Sequence, residues 1–187
     1  MRYASIRELD VSNGEGVGVA LFVQGCRFAC KNCFNTNTWD FNGGKEWTQD
    51  TEDKLIELAS RPYIKRLSIL GGEPLADENL DGVLHLVNRF RLSFPNKSIW
   101  IYTGYTWNEI FKNDSSIQAY YMYDYMGNDF INNEKRKQIV SQCSVMVDGR
   151  YVDSQRNPSK KWAGSDNQRV IDIKQSLQKG EVVLWTD

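Results

Sequence analysis

One histidine and four cysteines in 187 residues narrow the chemistry open to this chain before any motif is read. A single imidazole, that of His85, cannot provide the paired histidines of a common zinc site, and a packed or solvated helix residue is its plainer reading. Four cysteines make no disulfide scaffold, since three crowd between positions 26 and 33 while Cys143 stands far off. Long apolar runs are missing too. None approaches the roughly 20 residues that span a bilayer, so no membrane association is expected. The opening MRYASIRELDVSNGEG has no basic segment followed by an apolar stretch, so no secretory leader is expected and the reading is cytoplasmic. Neither sign of charge dominates: 23 Lys and Arg stand against 24 Asp and Glu, and no global basic field argues for a nucleic-acid partner. Repeats, low-complexity tracts and linkers are also lacking, so residues 1–187 are read as one domain, long enough to bury a core.

What is present alternates between two periodicities. Residues 17–23 (VGVALFV) form an apolar, β-branched run too short for a helix, and predict a buried strand that runs straight into the cysteines. A loop rich in Asn, Thr and Gly follows at 35–44. Residues 50–59 (DTEDKLIELA) predict a helix with acidic residues in its first turn. Strands are expected at 66–70, 98–102 and 144–147, and two short ones at 169–173 and 181–185. Helical spacing marks 80–90 and 134–141, with a short helix from Trp107. The stretch 113–133, which contains QAYYMYDYM, has no legible pattern and stays an unassigned excursion; its tyrosines make either a packed satellite or a partner surface. Strand alternating with helix is the signature of an α/β fold with a mainly parallel sheet. In such folds ligands sit beyond the carboxyl ends of the strands. Those ends carry Cys26, the GGEP run at 71–74, Thr103-Gly104 and Asp148-Gly149, so the unusual residues fall on one rim.

The cysteines Cys26, Cys30 and Cys33 have the spacing C-x3-C-x2-C. Three thiolates on one tight loop suit an iron–sulfur cluster whose fourth iron stays open to a small molecule. A structural zinc that adds Cys143 is the competing reading, although such sites usually draw on two close pairs. Cys143 itself, beside an apolar strand, reads as an inert buried thiol.

The cysteine spacing after a strand and before Gly-Gly-Glu-Pro resembles the radical S-adenosylmethionine superfamily. Within it the chain is most similar to the branch of anaerobic ribonucleoside-triphosphate reductase activating proteins. NGEG at 13–16, LFVQGC at 21–26, CFNTNTW at 33–39, GGEPL at 71–75, YTGYTW at 102–107, VDGRY at 147–151 and GSDNQRVID at 164–172 carry that resemblance, in family order. It implies a partial (β/α) barrel, a [4Fe–4S] cluster on the three cysteines, and S-adenosylmethionine chelated to the fourth iron. One-electron reduction would then yield a 5′-deoxyadenosyl radical that abstracts hydrogen from a backbone glycine of the reductase large subunit. The resemblance also implies a low-potential, flavodoxin-like electron donor. A formate-lyase-type activator or a small-molecule radical enzyme is the nearest alternative, and a zinc-binding module without catalysis the more distant one. So short a chain leaves little material for a substrate domain, which favours a large protein substrate.

The same resemblance marks further residues. Gly71, Gly72 and Pro74 would let the backbone approach the cofactor's amino group, with Glu73 as a charged acceptor. Thr103 and Gly104 stand where similar proteins contact the cofactor. Asn167, Gln168 and Arg169 offer amide and guanidinium groups suited to a carboxylate or ribose. Where many superfamily members shield the adenine with an aromatic just before the third cysteine, this chain has Asn32, which leaves that part to Phe34 or the loop backbone.

Overall fold

The fold follows from period-two alternation on four strands that share a direction. In the computed structural model, which describes residues 1–111 and 128–186, one mixed sheet has the order β3-β1-β2-β4-β5-β6-β7. Its strands are β1 (Arg2–Asp10), β2 (Gly18–Val23), β3 (Lys45–Glu46), β4 (Arg66–Gly71), β5 (Ser98–Tyr102), β6 (Val145–Asp148) and β7 (Arg169–Asp172). The central run β2-β4-β5-β6 is parallel, in register from Gly18 opposite Arg66 to Val23 opposite Gly71. β1 and β7 flank it antiparallel, and β3 pairs antiparallel with the outer side of β1. The sheet is open: β3 and β7 lie at its two ends and do not meet, so the partial barrel expected from the resemblance is found as an open, mixed sheet with a parallel core.

Helices α1 (Gln49–Ser60), α2 (Leu80–Ser93), α3 (Trp107–Phe111), α4 (Asn128–Ser141) and α5 (Ile173–Lys179) complete the described fold. Val19, Leu21 and Val23 of β2, Leu67 and Ile69 of β4, Ile99 and Ile101 of β5 and Met146 of β6 point to one face. There they form the main core with Leu55 and Leu58 of α1, Val83, Val87 and Phe90 of α2, and Ile139 and Val140 of α4. Each such side chain contributes about 1.5–3 kcal/mol when fully buried. The alternate residues Ala20, Phe22 and Leu70, with Ala4 and Tyr102 against them, form a second, small cluster on the opposite face. Parallel strands normally carry helices on both faces. Among the described residues the second face is left to loops, and a cleft opens over it.

The strands at 66–70, 98–102 and 144–147 and the helices at 50–59 and 80–90 match the sequence reading to within a few residues. Helix α4 starts earlier than expected and takes in 128–133, the end of the unassigned excursion; the remainder, with QAYYMYDYM, lies outside the described residues. The strand expected at 181–185 is reduced to a single antiparallel bridge, Leu184 to Ile171, flanked by bonds from Asp172 to the Val183 carbonyl at 2.9 Å and from Trp185 to that of Val170 at 2.8 Å. Between β7 and this segment the chain forms α5, for which there is no sequence-level forecast, capped by the Asp172 carboxylate on the Gln175 amide at 2.8 Å and closed by Gly180 in the left-handed region. Strand β1 has no sequence-level forecast, because RYASIRELD mixes polar and apolar residues without clean alternation.

A fully buried cation ties the β1–β2 connection to the sheet. Arg66 donates to the Asp10 carboxylate at 2.7 Å, to the Asp10 carbonyl at 3.0 Å and to Ser68 at 2.5 Å, and Ser68 donates to the Asn13 carbonyl at 2.5 Å. Burial alone would raise the Asp10 pKa, but hydrogen bonds from Arg66 and Asn13 outweigh it and hold the carboxyl below its ordinary range. Breaking such a pair from one side leaves a buried charge. Arg66→Met should therefore lower the unfolding free energy by about 3–5 kcal/mol in urea titrations; a loss below about 1 kcal/mol would mean that the loop holds without its cation.

Candidate functional site

The cysteine loop is gripped from two sides by backbone. Gly25 donates to the Thr38 carbonyl at 2.8 Å and Cys26 to Trp39 at 3.0 Å, which lays the loop on segment 35–44. On the other side Gly72 donates to Val23 at 2.9 Å and Glu73 to the Gly25 carbonyl at 2.7 Å. This approach needs glycine: a Cβ on Gly72 would stand 2.5 Å from the Gly25 oxygen, and Gly71 and Gly25 have φ of 105° and 97°. Buried amides finish the grip. Gln24 donates to the Asp40 carbonyl at 2.8 Å, and Asn79 donates to both the Gln24 carbonyl at 3.0 Å and the Glu73 carbonyl at 2.9 Å.

Between these supports the loop bends through Ala29 and Asn32, both in the left-handed region with φ of 46° and 56°. Asn32 also donates to Asp153 at 2.9 Å, which accounts for a short polar residue at this position. Cys26, Cys30 and Cys33 are free and partly exposed, and all three line one cleft of 570 Å³. Burial pushes the Cys26 and Cys30 thiols up, and the neighbouring Glu73 and Cys30 raise Cys26 further, as Cys33 raises Cys30. Backbone N–H groups oppose this, among them those of Phe28 and Ala29 at Cys26, and the Asn35 amide lies 3.4 Å from the Cys33 sulfur. Thiolates crowded in this way are stabilised by a metal centre, whose positive charge removes their mutual repulsion. Among the described residues no three His, Cys, Asp or Glu side chains, the cysteines included, are gathered so as to hold a single metal ion; what the cysteines share is one loop and one cleft. Three soft ligands of that kind fit an iron–sulfur cluster with one free position. Cys143 is no part of it: buried in the helix-side core with its thiol pushed up to about 12 by burial, it donates to the Ile139 carbonyl at 3.3 Å. A zinc site drawing on Cys143 as fourth ligand therefore loses that ligand.

The same cleft is bordered by Gly71, Gly72, Glu73, Thr103 and Gly104. Glu73 is spent on the rim. Its carboxylate accepts from the Leu75 amide at 2.8 Å, the Thr103 hydroxyl at 2.7 Å and the Gly104 amide at 2.8 Å, so it locks the turn after β4 to the turn after β5. Pro74 follows in that turn and does not line the cleft. Gly104 leaves room for the Phe28 ring, which meets Tyr105 edge-on at 5.1 Å.

Asn167 and Arg169 lie outside the cleft lining. Arg169 forms a two-pronged pair with the buried Asp148, which also accepts from the Trp107 amide at 2.9 Å. Asn167 donates to the Arg150 carbonyl at 2.8 Å and accepts from Ser165 at 2.7 Å. Gln168 does border the cleft, while its side chain holds Gly149 and Gly164. These residues shape the segment after β6, whose side chains reach back to the cysteine loop. Arg150 stacks on Phe28 at 4.3 Å and Tyr151 meets Phe34 at 5.2 Å. Further along, Trp162 packs on Trp100 of the sheet at 4.7 Å. Arg150 and Tyr151 were signalled only by the VDGRY run and Gln24 only by LFVQGC, and no local pattern pointed to Asn79, whose role is packing between two loops.

Residues 12–171 match the family model of a 4Fe-4S single cluster domain. The chain is also similar to curated proteins named anaerobic ribonucleoside-triphosphate reductase-activating protein. That of Vibrio cholerae is 38% identical over 172 residues, covering 91% of this chain and 97% of the relative. Those of Escherichia coli and Haemophilus influenzae are 35% and 33% identical over the same shares.

Burial raises the Glu73 carboxyl to about 7, against the three hydrogen bonds that favour its charge. Its folded pKa thus lies above the ordinary carboxylate value, so stability is greatest below that value and declines as pH rises through 7. Urea unfolding of metal-free protein should show a decline of about 2 kcal/mol between roughly pH 5 and pH 8 that Glu73→Gln abolishes. An unchanged slope in the variant would assign the decline to other groups.

Proposed function

This chain belongs to the family of anaerobic ribonucleoside-triphosphate reductase-activating proteins, and we propose that it installs a glycyl radical on such a reductase by radical S-adenosylmethionine chemistry. It is an oxidoreductase with a [4Fe–4S] cluster and S-adenosylmethionine as cofactors. When bound, these supply the difficult step, a one-electron cleavage to methionine and a 5′-deoxyadenosyl radical that takes hydrogen from a reductase glycine. The observation that carries the reading is that three free cysteines and the turns after β4 and β5 line one cleft, on the sheet face that none of the described helices covers.

Each group of residues has a part in this reading. Cys26, Cys30 and Cys33 hold three irons and leave a position for the cofactor. Gly71, Gly72 and Pro74 let the cofactor approach backbone, and Thr103 and Gly104 border it from the next strand. Glu73 orients both turns through its hydrogen bonds. Asn167 and Arg169 act from behind the rim, by holding the Arg150 backbone and Asp148. The segment 150–164 limits the access of water to the cleft, and Phe34, 64% exposed beside the third cysteine, offers an aromatic surface in the position Asn32 does not fill.

The bare sheet face is read as the inside of an incomplete barrel within one domain, with the reductase as the body that closes it. The electron comes from a low-potential, flavodoxin-like protein, and the setting is the anaerobic cytoplasm. No helix among the described residues is long and apolar enough to cross a membrane.

Anaerobic reconstitution with iron and sulfide, followed by S-adenosylmethionine, dithionite and the reductase, should yield 5′-deoxyadenosine and a glycyl radical signal. Cys26→Ala, Cys30→Ala and Cys33→Ala should each reduce bound iron and product to background, while Cys143→Ala retains both. Wild-type iron content in any of the first three variants, or uptake of zinc in place of iron, would refute the assignment.

A further inference from the structure

The cysteine loop has two sides. Cys26, Phe28, Cys30 and Cys33 line the cleft, while the residues between them, Arg27, Ala29, Lys31 and Asn32, are exposed and do not line it. The loop is therefore one residue thick along its length. A single layer of backbone separates whatever the thiols hold from the outer surface.

Charge is uneven around that surface. Residues 26–34 and 150–160 hold five Lys and Arg and one carboxylate, Asp153, in a chain of net charge -1. The two segments touch: Asn32 donates to Asp153 at 2.9 Å, Arg150 lies over Phe28 at 4.3 Å and Arg156 over Phe34 at 5.9 Å. Both carboxylates nearby are already engaged, Asp153 by Asn32 and Tyr151, and Glu78 by Arg27. Lys31, Arg150 and Arg156 form no ion pair among the described residues, and Lys160 donates to a carbonyl, that of Asp166, at 2.7 Å. The excess of positive charge is thus left for a partner, and such a patch draws an acidic one.

We propose that the outer side of the cysteine loop, with Lys31 at its centre, is the docking surface of an acidic one-electron carrier protein; this rests on the function proposed above. In that reading the cofactor and the reductase segment occupy the cleft side, so an electron that arrives while both are bound enters from the other side. Electron transfer weakens steeply with distance, and across the loop is the shortest way to the thiols from outside the cleft. Encounters between redox partners use small interfaces and are guided by charge more than by buried area, so exposed, unpaired cations suffice. The step moves one electron. The carrier is oxidised by one and the cluster reduced by one, with no bond or proton exchanged with the loop.

The test is Lys31→Glu in the full-length, cluster-loaded enzyme, with 5′-deoxyadenosine formed in the presence of the reductase as the readout. With reduced flavodoxin as donor, the KM for the carrier should rise about two- to thirty-fold, the effect of exchanging one exposed attraction for a repulsion. With dithionite, which needs no docking surface, the variant's rate and iron content should equal those of wild type. Added salt should slow the wild-type reaction with flavodoxin more than the reaction with dithionite. An unchanged KM for flavodoxin would overturn the proposal. So would an equal loss with both donors, which would assign Lys31 to the cluster or the reductase, and so would a wild-type enzyme that dithionite drives and flavodoxin does not. Failure of the underlying reading shows separately: wild type would then form no 5′-deoxyadenosine with dithionite either.

Discussion

One-sided burial of the sheet is the constraint on which the rest of the molecule depends. Alternate residues of β2, β4, β5 and β6 are locked into a common core with α1, α2 and α4. Because side chains on a strand alternate strictly, fixing one face fixes the other. Ala20, Phe22, Ser68, Leu70, Trp100 and Tyr102 are therefore held on the cleft side without any of the described helices to hold them there. A slip of one residue in any of these strands would exchange the two sets. The same in-register parallel pairing brings the ends of four strands to one level, so Cys26, Gly72, Thr103 and Gly149 follow their strands at one rim.

The rim is rigid for a second reason, which is polar rather than apolar. Glu73 and Asn79, both nearly inaccessible, join the cysteine loop, the turn after β4 and the turn after β5 through hydrogen bonds that have no competition from water. Glycine at 25, 71 and 72 lets these backbones come close enough for the bonds to form. The arrangement makes the loop's outline independent of whatever the cysteines hold. A site that must position a cofactor to within a fraction of an ångström gains from supports that do not belong to the cofactor.

The sequence made the parallel core, its rim and the three cysteines legible, because each is written in a local pattern: β-branched runs, helical spacing, C-x3-C-x2-C, and glycines at strand ends. What stayed illegible is what depends on contacts between distant segments. Strand β1 is polar on much of its length since it lies near the sheet's edge, and its identity comes from pairing with β2. The strand read at 181–185 is reduced to one bridge on β7, where Asp172 donates to the Val183 carbonyl and Trp185 to that of Val170, and the intervening α5, with its Asp172 cap and Gly180 stop, went unread. Arg169 and Asn167 read as ligand groups by their chemistry, yet Asp148 and the Arg150 carbonyl claim them, and neither partner is visible from spacing alone. Glu73 is an intermediate case. Its place at the rim was legible, but three donors converging on its carboxylate from three different residues were not.

The distribution of charge over the cleft follows from the same division of faces. The carboxylate bordering it, Glu73, is buried and occupied, whereas Arg7, Arg150, Arg156 and Lys160 border it as cations. Three of these are carried on aromatic rings: Arg7 over Phe22 at 4.5 Å, Arg150 over Phe28 at 4.3 Å and Arg156 over Phe34 at 5.9 Å. A cation held over a ring keeps its stem on apolar surface and its donors free, and gains about 0.5–1 kcal/mol or more as it is desolvated. Two of the rings, Phe28 and Phe34, belong to the cysteine loop itself, while their cations come from the segment after β6. Positive charge is thus fixed beside the thiolates by a part of the chain more than a hundred residues away, and through packing rather than ion pairing. Thiolates gathered on one loop repel one another, and Arg150, seated on the Phe28 ring, opposes burial and Cys33 at the Cys30 thiol.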